Sequence, residues 1–277
     1  MPGKTTDTGT RTIRPIIAGG KTRLAEIDTG STCSFKGDKA ATQAVLAQLK
    51  AQLAGLQTLL YAEHKRKVLV VLQAMDTGGK DGVIRNVFSG VNPQGVRVVG
   101  FKAPSAEELD HDYLWRVHQR LPGRGELVVF NRSHYEDVLI TRVHSWIDER
   151  TAKRRFRQIN DFEAMLVEEG TLVLKFFLHI SKDEQKARLQ DRLADPAKIW
   201  KFNPGDLVER EKWDDYQRAY EDAIGATSSP HAPWHIVPAD KKWIRDLYVG
   251  SVLVSSLEAL GMRYPEPAPG VKDCVIK

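Results

Sequence analysis

Two spacings of apolar residues alternate along this chain, and the alternation predicts its architecture. Val45, Leu46, Leu49, Leu53, Leu56, Leu59 and Leu60 recur at helical intervals, which predicts an amphipathic helix over 39–61. A nearly continuous apolar run over 67–73 predicts a strand buried on both faces. Further strands are predicted at 97–101, 127–130, 172–180 and 234–238. Helices are predicted over about 79–87, from a Ser105 cap through Leu121, and over 145–169, 183–193 and 240–260. Strands alternating with helices predict an α/β fold, a doubly wound parallel five-stranded sheet with helices on both faces.

The segment 1–38 breaks this pattern. It is rich in Thr, Gly, Ser and charge, and reads as a flexible basic arm with local order at Pro15-Ile16-Ile17. Residues 39–277 read as one domain, since 277 residues at 42% hydrophobic can bury a full core. No stretch is long and apolar enough for a bilayer, and the first residues lack the apolar core of a signal peptide, so no membrane partner is expected. Two cysteines, Cys33 and Cys274, make neither a disulfide framework nor a zinc cluster, which points to a reducing cytoplasm. The net charge of +5 raises the question of nucleic acid. Residues 1–40 hold seven Lys/Arg and four Asp/Glu, so the rest of the chain is nearly neutral. That distribution suits a localised site for a polyanion and argues against a broad nucleic-acid face.

The sharpest chemical signal follows the 67–73 run. Ala74-Met75-Asp76-Thr77-Gly78-Gly79-Lys80-Asp81-Gly82 has the strand–loop–helix order of a phosphate-binding loop. Residues without bulky side chains let backbone N–H groups wrap an oligophosphate, and the helix N-terminus adds its positive end. Thr77, Gly78, Gly79, Lys80, Asp81 and Gly82 are therefore candidate phosphate-binding residues, with Lys80 as a point charge. Ala74 stands where the common motif has its first glycine, and Asp81 where it has a metal-binding Ser/Thr. Asp76 is a carboxylate inside the loop. It reads either as a Mg²⁺ ligand or as a group that orients the attacking oxygen.

Two more constellations fall at strand ends, where such sheets bind ligands. After 127–130 comes Asn131-Arg132-Ser133-His134-Tyr135-Glu136-Asp137. Arg132 is a candidate phosphate clamp and Asp137 a second candidate Mg²⁺ carboxylate, with helix capping as its alternative role. Arg142 is a candidate for the same pocket, and His134 reads as structural. After 172–180, the stretch 183–212 reads as a helical lid, with Arg188, Arg192, Lys198 and Lys201 as candidate cations. The densest basic run, Arg150 to Arg157, reads either as a solvated helix face or as a rail for a polyanion. Trp200, Trp213, Tyr216 and Tyr220 have the spacing of helix packing.

Taken together, the loop 76–82, the strand exit 131–139 and the lid 186–209 with its Trp200-Lys201-Phe202 centre resemble the polyphosphate kinase 2 family. Phe101-Lys102-Ala103-Pro104-Ser105 and Leu114-Trp115-Arg116-Val117-His118 are similar as well, so the resemblance spans about residues 40–265. It implies a P-loop kinase-like fold with a helical lid, and reversible phosphoryl transfer between inorganic polyphosphate and a nucleotide. The nucleotides are AMP and ADP, or GMP and GDP, and the flavour is that of the class III type, which accepts both mono- and diphosphates. The resemblance implies Mg²⁺, for which Mn²⁺ can substitute, and a homodimer or homotetramer. On this reading Asp76, Lys80, Arg132 and Asp137 are catalytic, and Arg132, Ser133, Tyr135, Glu136 and Arg142 serve the nucleotide, with core packing and a satisfied hydroxyl as the alternative for Tyr135. Two rivals stand beside it. One is an ATP-dependent nucleoside monophosphate kinase, against which Ala74 and Asp81 weigh. The other is a nucleic-acid-binding module built on the arm and the 150–157 run.

Overall fold

Residues 13–271 and 274–276 are described by a computed structural model. Its centre is the strand β2 (Lys67–Ala74), in which every residue from Val68 to Ala74 is buried. β2 pairs in parallel with β5 (Thr171–His179) on one side and β4 (Leu127–Asn131) on the other. β3 (Val96–Gly100) extends the sheet beyond β4, and β6 (Trp234–Pro238) extends it beyond β5, both in parallel. The register sets Leu72 of β2 beside Asn131 of β4, so the loops after these two strands emerge as neighbours.

The helices among the described residues are α1 (Lys39–Glu63), α2 (Lys80–Val87), α3 (Ala106–Asp110), α4 (Trp115–His118), α5 (Ile140–Val143), α6 (Glu149–Glu168), α7 (Lys182–Ala194), α8 (Gly205–Glu211), α9 (Trp213–Thr227) and α10 (Lys242–Ala259). α1 and α2 both pack on α10, and α6 packs on α9, and these two groups cover the doubly wound sheet. No helix among the described residues is long and apolar enough to cross a membrane.

The sheet has six strands, one more than the hydrophobic pattern predicts. The added strand, β1 (Ile16–Ile17), pairs antiparallel with β6 and comes from the segment read as a flexible arm. From residue 13 onward that segment is packed down. Ile13, Leu24, Cys33 and Phe35 are buried in the main core. They are spaced too widely to give a periodic signal, so composition alone suggested mobility. Residues 1–12 of the arm lie outside the described residues.

Two predicted helices are also shorter than expected. The stretch from Ser105 to Leu121 splits into α3 and α4. Ser105 and Glu108 form a capping box at the start of α3, and the Asp112 carboxylate accepts the Leu114 N–H at 2.9 Å, which diverts the backbone from a continuous helix. The 145–169 helix begins only at Glu149, where the Asp148 side chain caps the Thr151 N–H at 2.7 Å.

A fully buried polar network fixes the turn after β4. Lys175 of β5 donates to Glu163 of α6 at 2.5 Å, to the Tyr135 hydroxyl at 2.9 Å and to the Thr227 carbonyl at 2.8 Å. Tyr135 in turn donates to Glu163 at 2.8 Å. All three ammonium protons are used, so the charge is paired as burial demands. Removing one partner strands the other. Lys175→Ala is expected to cost about 3–5 kcal/mol of unfolding free energy, read by urea denaturation. A loss below about 1 kcal/mol would show that the network carries no such load.

Candidate active site

The loop between β2 and α2 closes around its own backbone. The Gly78 N–H donates to the Met75 carbonyl at 3.0 Å, and Thr77 and Gly79 both take left-handed φ values, +61° and +104°. Gly79 is the N-cap of α2 and Lys80 its first residue, so the free N–H groups of the first turn face the loop. A Cβ at Gly79 would overlap the guanidinium of Arg245, and one at Gly82 would lie 2.8 Å from it. The glycines are needed here because an arginine occupies the space a side chain would take. Lys80 donates to the Ala74 carbonyl at 3.0 Å. Burial, joined by the charge of Arg132, lowers its pKa from the ordinary lysine value, while Asp76, Glu136 and Asp81 act the other way.

Arg132 follows β4 with φ +65°, and its guanidinium lies 3.6 Å from the Asp76 carboxylate. Burial acts to lower its pKa, but Glu136 and Asp76 outweigh that and hold it above the usual value. Glu136 lies close enough to Arg132 and Lys80 to feel both charges, and burial raises its carboxyl against them. With the Gln73 amide oriented to satisfy its neighbours, Gln73 donates to Glu136 at 3.0 Å. Asn131 donates to Asp81 at 2.8 Å, and Lys201 of the lid approaches the same carboxylate at 3.8 Å. The lid thus touches the loop through an ion pair.

These groups line a cleft of about 580 Å³. Among the described residues its wall holds ten Lys/Arg against four Asp, an excess of positive charge that suits a polyanion. From the loop come Asp76 and residues 77–82, from β4 Asn131 and Arg132, and from the lid Arg188, Arg192, Lys198 and Lys201. Arg188 is 6% exposed and also holds the loop, donating to the Thr77 carbonyl at 3.0 Å.

The sequence model for the family described as polyphosphate kinase 2 matches residues 36–264. The chain belongs to the polyphosphate kinase 2 family. It is 55% identical over 258 residues to the AMP/ADP-polyphosphate phosphotransferase of Meiothermus ruber, covering 93% of this chain and 97% of that one. It is 50% identical over 230 residues to the ADP-polyphosphate phosphotransferase of Rhodopseudomonas palustris, covering 79% and 80%. Its fold matches the crystal structure of polyphosphate kinase 2 from Arthrobacter aurescens with a TM-score of 0.91 at 47% identity, covering 93% and 92%.

Within this member of the polyphosphate kinase 2 family, four expected site residues sit elsewhere. Tyr135 is fully buried in the Lys175 network. Ser133 is 2% exposed, and its hydroxyl accepts the Tyr135 N–H at 3.2 Å as a cap. Arg142 faces away from the cleft, bonded to Glu149 at 2.7 Å and Asp222 at 2.9 Å beside a second, smaller cavity. Asp137 does not line the cleft, and its carboxylate lies 3.7 Å from Arg155. Residues 134–138 form a 3₁₀ turn, which rotates successive side chains by about 120°, so Glu136 faces Lys80 while Asp137 faces α6. Trp200 is 75% exposed on the lid, against the packing expected of it, whereas Trp213, Tyr216 and Tyr220 are core residues. Arg150, Arg154 and Arg157 are exposed and lie off the cleft.

The cleft also holds cations that sequence reasoning passed over, namely Arg85 of α2, Lys102 after β3, and Lys242 and Arg245 of α10. A signal existed for the last two. Lys241, Lys242 and Arg245 crowd the start of a helix, where the macrodipole disfavours positive charge unless an anion is to be bound.

Two tests follow from this geometry. Gly79→Ala is expected to lower the melting temperature more than Gly90→Ala, because both positions have left-handed φ but only Gly79 meets a neighbour. Equal shifts would show that Arg245 imposes no constraint. Burial raises the Asp137 carboxyl to about 6, Arg155 and Arg116 opposing it. The folded state therefore binds this proton more tightly than the unfolded one, and the group's effect on stability worsens as pH rises from about 4 to 6. Asp137→Asn is expected to gain roughly 1–3 kcal/mol relative to the wild type across that window, read by denaturation at each pH. A parallel pair of pH profiles would contradict it.

Proposed function

We propose that this chain is a polyphosphate-dependent nucleotide kinase that moves a phosphoryl group reversibly between inorganic polyphosphate and AMP or ADP. The single observation that carries this reading is the cationic cleft, closed around a phosphate loop in a member of this family. The names of the relatives favour acceptance of both mono- and diphosphates, the class III type, and one further relative is named as a GDP-polyphosphate enzyme.

The roles follow from charge and position. The amides of residues 78–82 and Lys80 would cradle the phosphates flanking the transferred group. Arg132, held between Asp76 and Glu136, would fix the nucleotide phosphate in line with the donor. Arg192, Lys198 and Lys201 on the lid would close over the chain and shed water. Phosphoryl transfer needs positioning and charge compensation above all, and no covalent enzyme intermediate is required.

A divalent cation fits this donor set. No group of three or more His, Cys, Asp or Glu among the described residues could hold a metal by itself. Mg²⁺ at kinase sites takes one or two carboxylates and completes its shell with phosphates and water. Asp76 lines the cleft, and Asp206 stands close enough that burial and the charge of Asp76 together raise its carboxyl. A cation would relieve that repulsion, so Asp76 with Asp206 would hold Mg²⁺ or Mn²⁺, which neutralises charge on the phosphates. Both cysteines are free, in keeping with a cytoplasmic setting, and a homodimer or homotetramer remains the expected assembly.

The test is to incubate AMP, ADP and GDP separately with polyphosphate and Mg²⁺, with no ATP, and separate the products by chromatography. ADP and ATP are expected from AMP and ADP. Lys80→Ala is expected to lower turnover by at least ~10²-fold while the far-ultraviolet circular dichroism is unchanged. Transfer that requires ATP as donor would instead favour an ordinary nucleoside monophosphate kinase.

A further inference from the structure

Residues 13–38 contribute no side chain to the cleft, yet their polar groups end on the elements that carry it. The Leu24 carbonyl accepts from His179 Nε2, at the end of β5, at 3.0 Å, and the Leu24 N–H donates to Glu221 of α9 at 2.7 Å. The Thr29 hydroxyl donates to Asp240 Oδ2 at 2.6 Å, and the Asp240 N–H donates back to the Thr29 carbonyl at 3.1 Å. This double bond pair lies at the carboxyl end of β6, two residues before α10.

Asp240 is where the segment meets the site. Its Oδ1 accepts the N–H of Ser181, the N-cap of the lid helix α7, at 2.8 Å. Its carbonyl accepts from Arg188 of the same helix at 3.2 Å. Arg188 then donates to the Thr77 carbonyl of the phosphate loop at 3.0 Å. A continuous path of hydrogen bonds therefore runs from Thr29 through Asp240 to the first turns of the lid helix and on to the loop.

We propose that Thr29 and Asp240 are positioning residues, and that the segment 13–38 is a strap that locks the base of the lid against the phosphate loop. The consequence for catalysis rests on the polyphosphate kinase reading above, but the mechanical coupling does not. Anchorage of the strap is supplied elsewhere, by its buried apolar residues, by β1 and by the Ile16 N–H bond to the Tyr248 hydroxyl at 2.6 Å. The Thr29 hydroxyl is thus spare for holding the segment down. What it does hold is one oxygen of a carboxylate whose other oxygen fixes the start of α7. With the hydroxyl gone, the Asp240 carboxylate can rotate and the Ser181 N–H loses its fixed acceptor, so the start of α7, which carries Arg188 to Thr77, is held less firmly.

The test compares the full-length wild type with Thr29→Val, Thr29→Ser and Tyr248→Phe. Amide hydrogen exchange is followed at 76–79 and 182–194, and steady-state kinetics are measured with polyphosphate and nucleotide varied separately. Thr29→Val is expected to speed exchange in both segments by about tenfold and to lower kcat/KM for polyphosphate roughly five- to tenfold, with the nucleotide KM within about twofold of wild type. Thr29→Ser is expected to restore both. Tyr248→Phe, which loosens the far end of the strap, is expected to lower the melting temperature without moving either readout. Unchanged exchange in Thr29→Val would overturn the proposal, as would Tyr248→Phe reproducing its effects. Should the wild type transfer no phosphoryl group from polyphosphate, the functional reading fails, and the exchange data still decide the strap.

Discussion

Crowding of positive charge around one cleft is the constraint on which the rest of this structure depends. Like charges in a partly buried wall repel, and the folded chain must hold them together against that repulsion. It does so by spending buried groups on their positions. Arg245 is 2% exposed and bonded to Asp246, with its guanidinium filling the space beside Gly79 and Gly82. Arg188 is tied to Glu184 and to the Thr77 and Ala239 carbonyls. Lys80 is driven below its ordinary pKa by burial and by Arg132. A polyanion entering the cleft relieves all of these costs at once, so charge compensation and preorganisation are one property of this wall.

Such a wall needs rigid support, and the parallel sheet supplies it. β2 is buried along nearly its whole length, so the loop that follows it starts from a fixed point. The turn after β4 is fixed from beneath by Lys175, Glu163 and Tyr135, which places Arg132 in the cleft wall with Glu136 behind it, near Lys80. The lid stands on α7, whose start is bonded to Asp240 and whose body reaches the loop through Arg188. Rigid elements carry the loop and the clamp, while the exposed Ile199, Trp200, Leu207 and Val208 mark the lid as the part with least packing.

Much of this was legible in the chain. The apolar run 67–73 ending at small residues and Lys80 announced β2, the loop and α2, because a buried parallel strand and a glycine turn leave strong local signatures. The strand exit at 131–137, expected at a strand end where such sheets bind ligands, lies beside the loop. The facing of its individual side chains was not legible, because a 3₁₀ turn sends neighbours to opposite sides: Glu136 toward Lys80 and Arg132, Asp137 to Arg155, Tyr135 into the core. The family resemblance implied that Tyr135 and Ser133 face the nucleotide, but both bond inward. Lys242 and Arg245 were missed because they join the cleft only through the tertiary path of α10, some 160 residues after the loop. The strap was missed because five scattered apolar residues, Ile13, Ala18, Leu24, Cys33 and Phe35, carry its packing.

The central claim is that a chain of phosphates lies in the cleft between the loop and α10. A crystal structure of the protein with an oligophosphate and Mg²⁺ tests it most directly. Phosphate groups are predicted on the amides of residues 78–82, with the chain running between Lys80 and the Lys242–Arg245 turn. An oligophosphate seated instead along the exposed Arg150–Arg157 face, with the cleft holding none, would contradict the account.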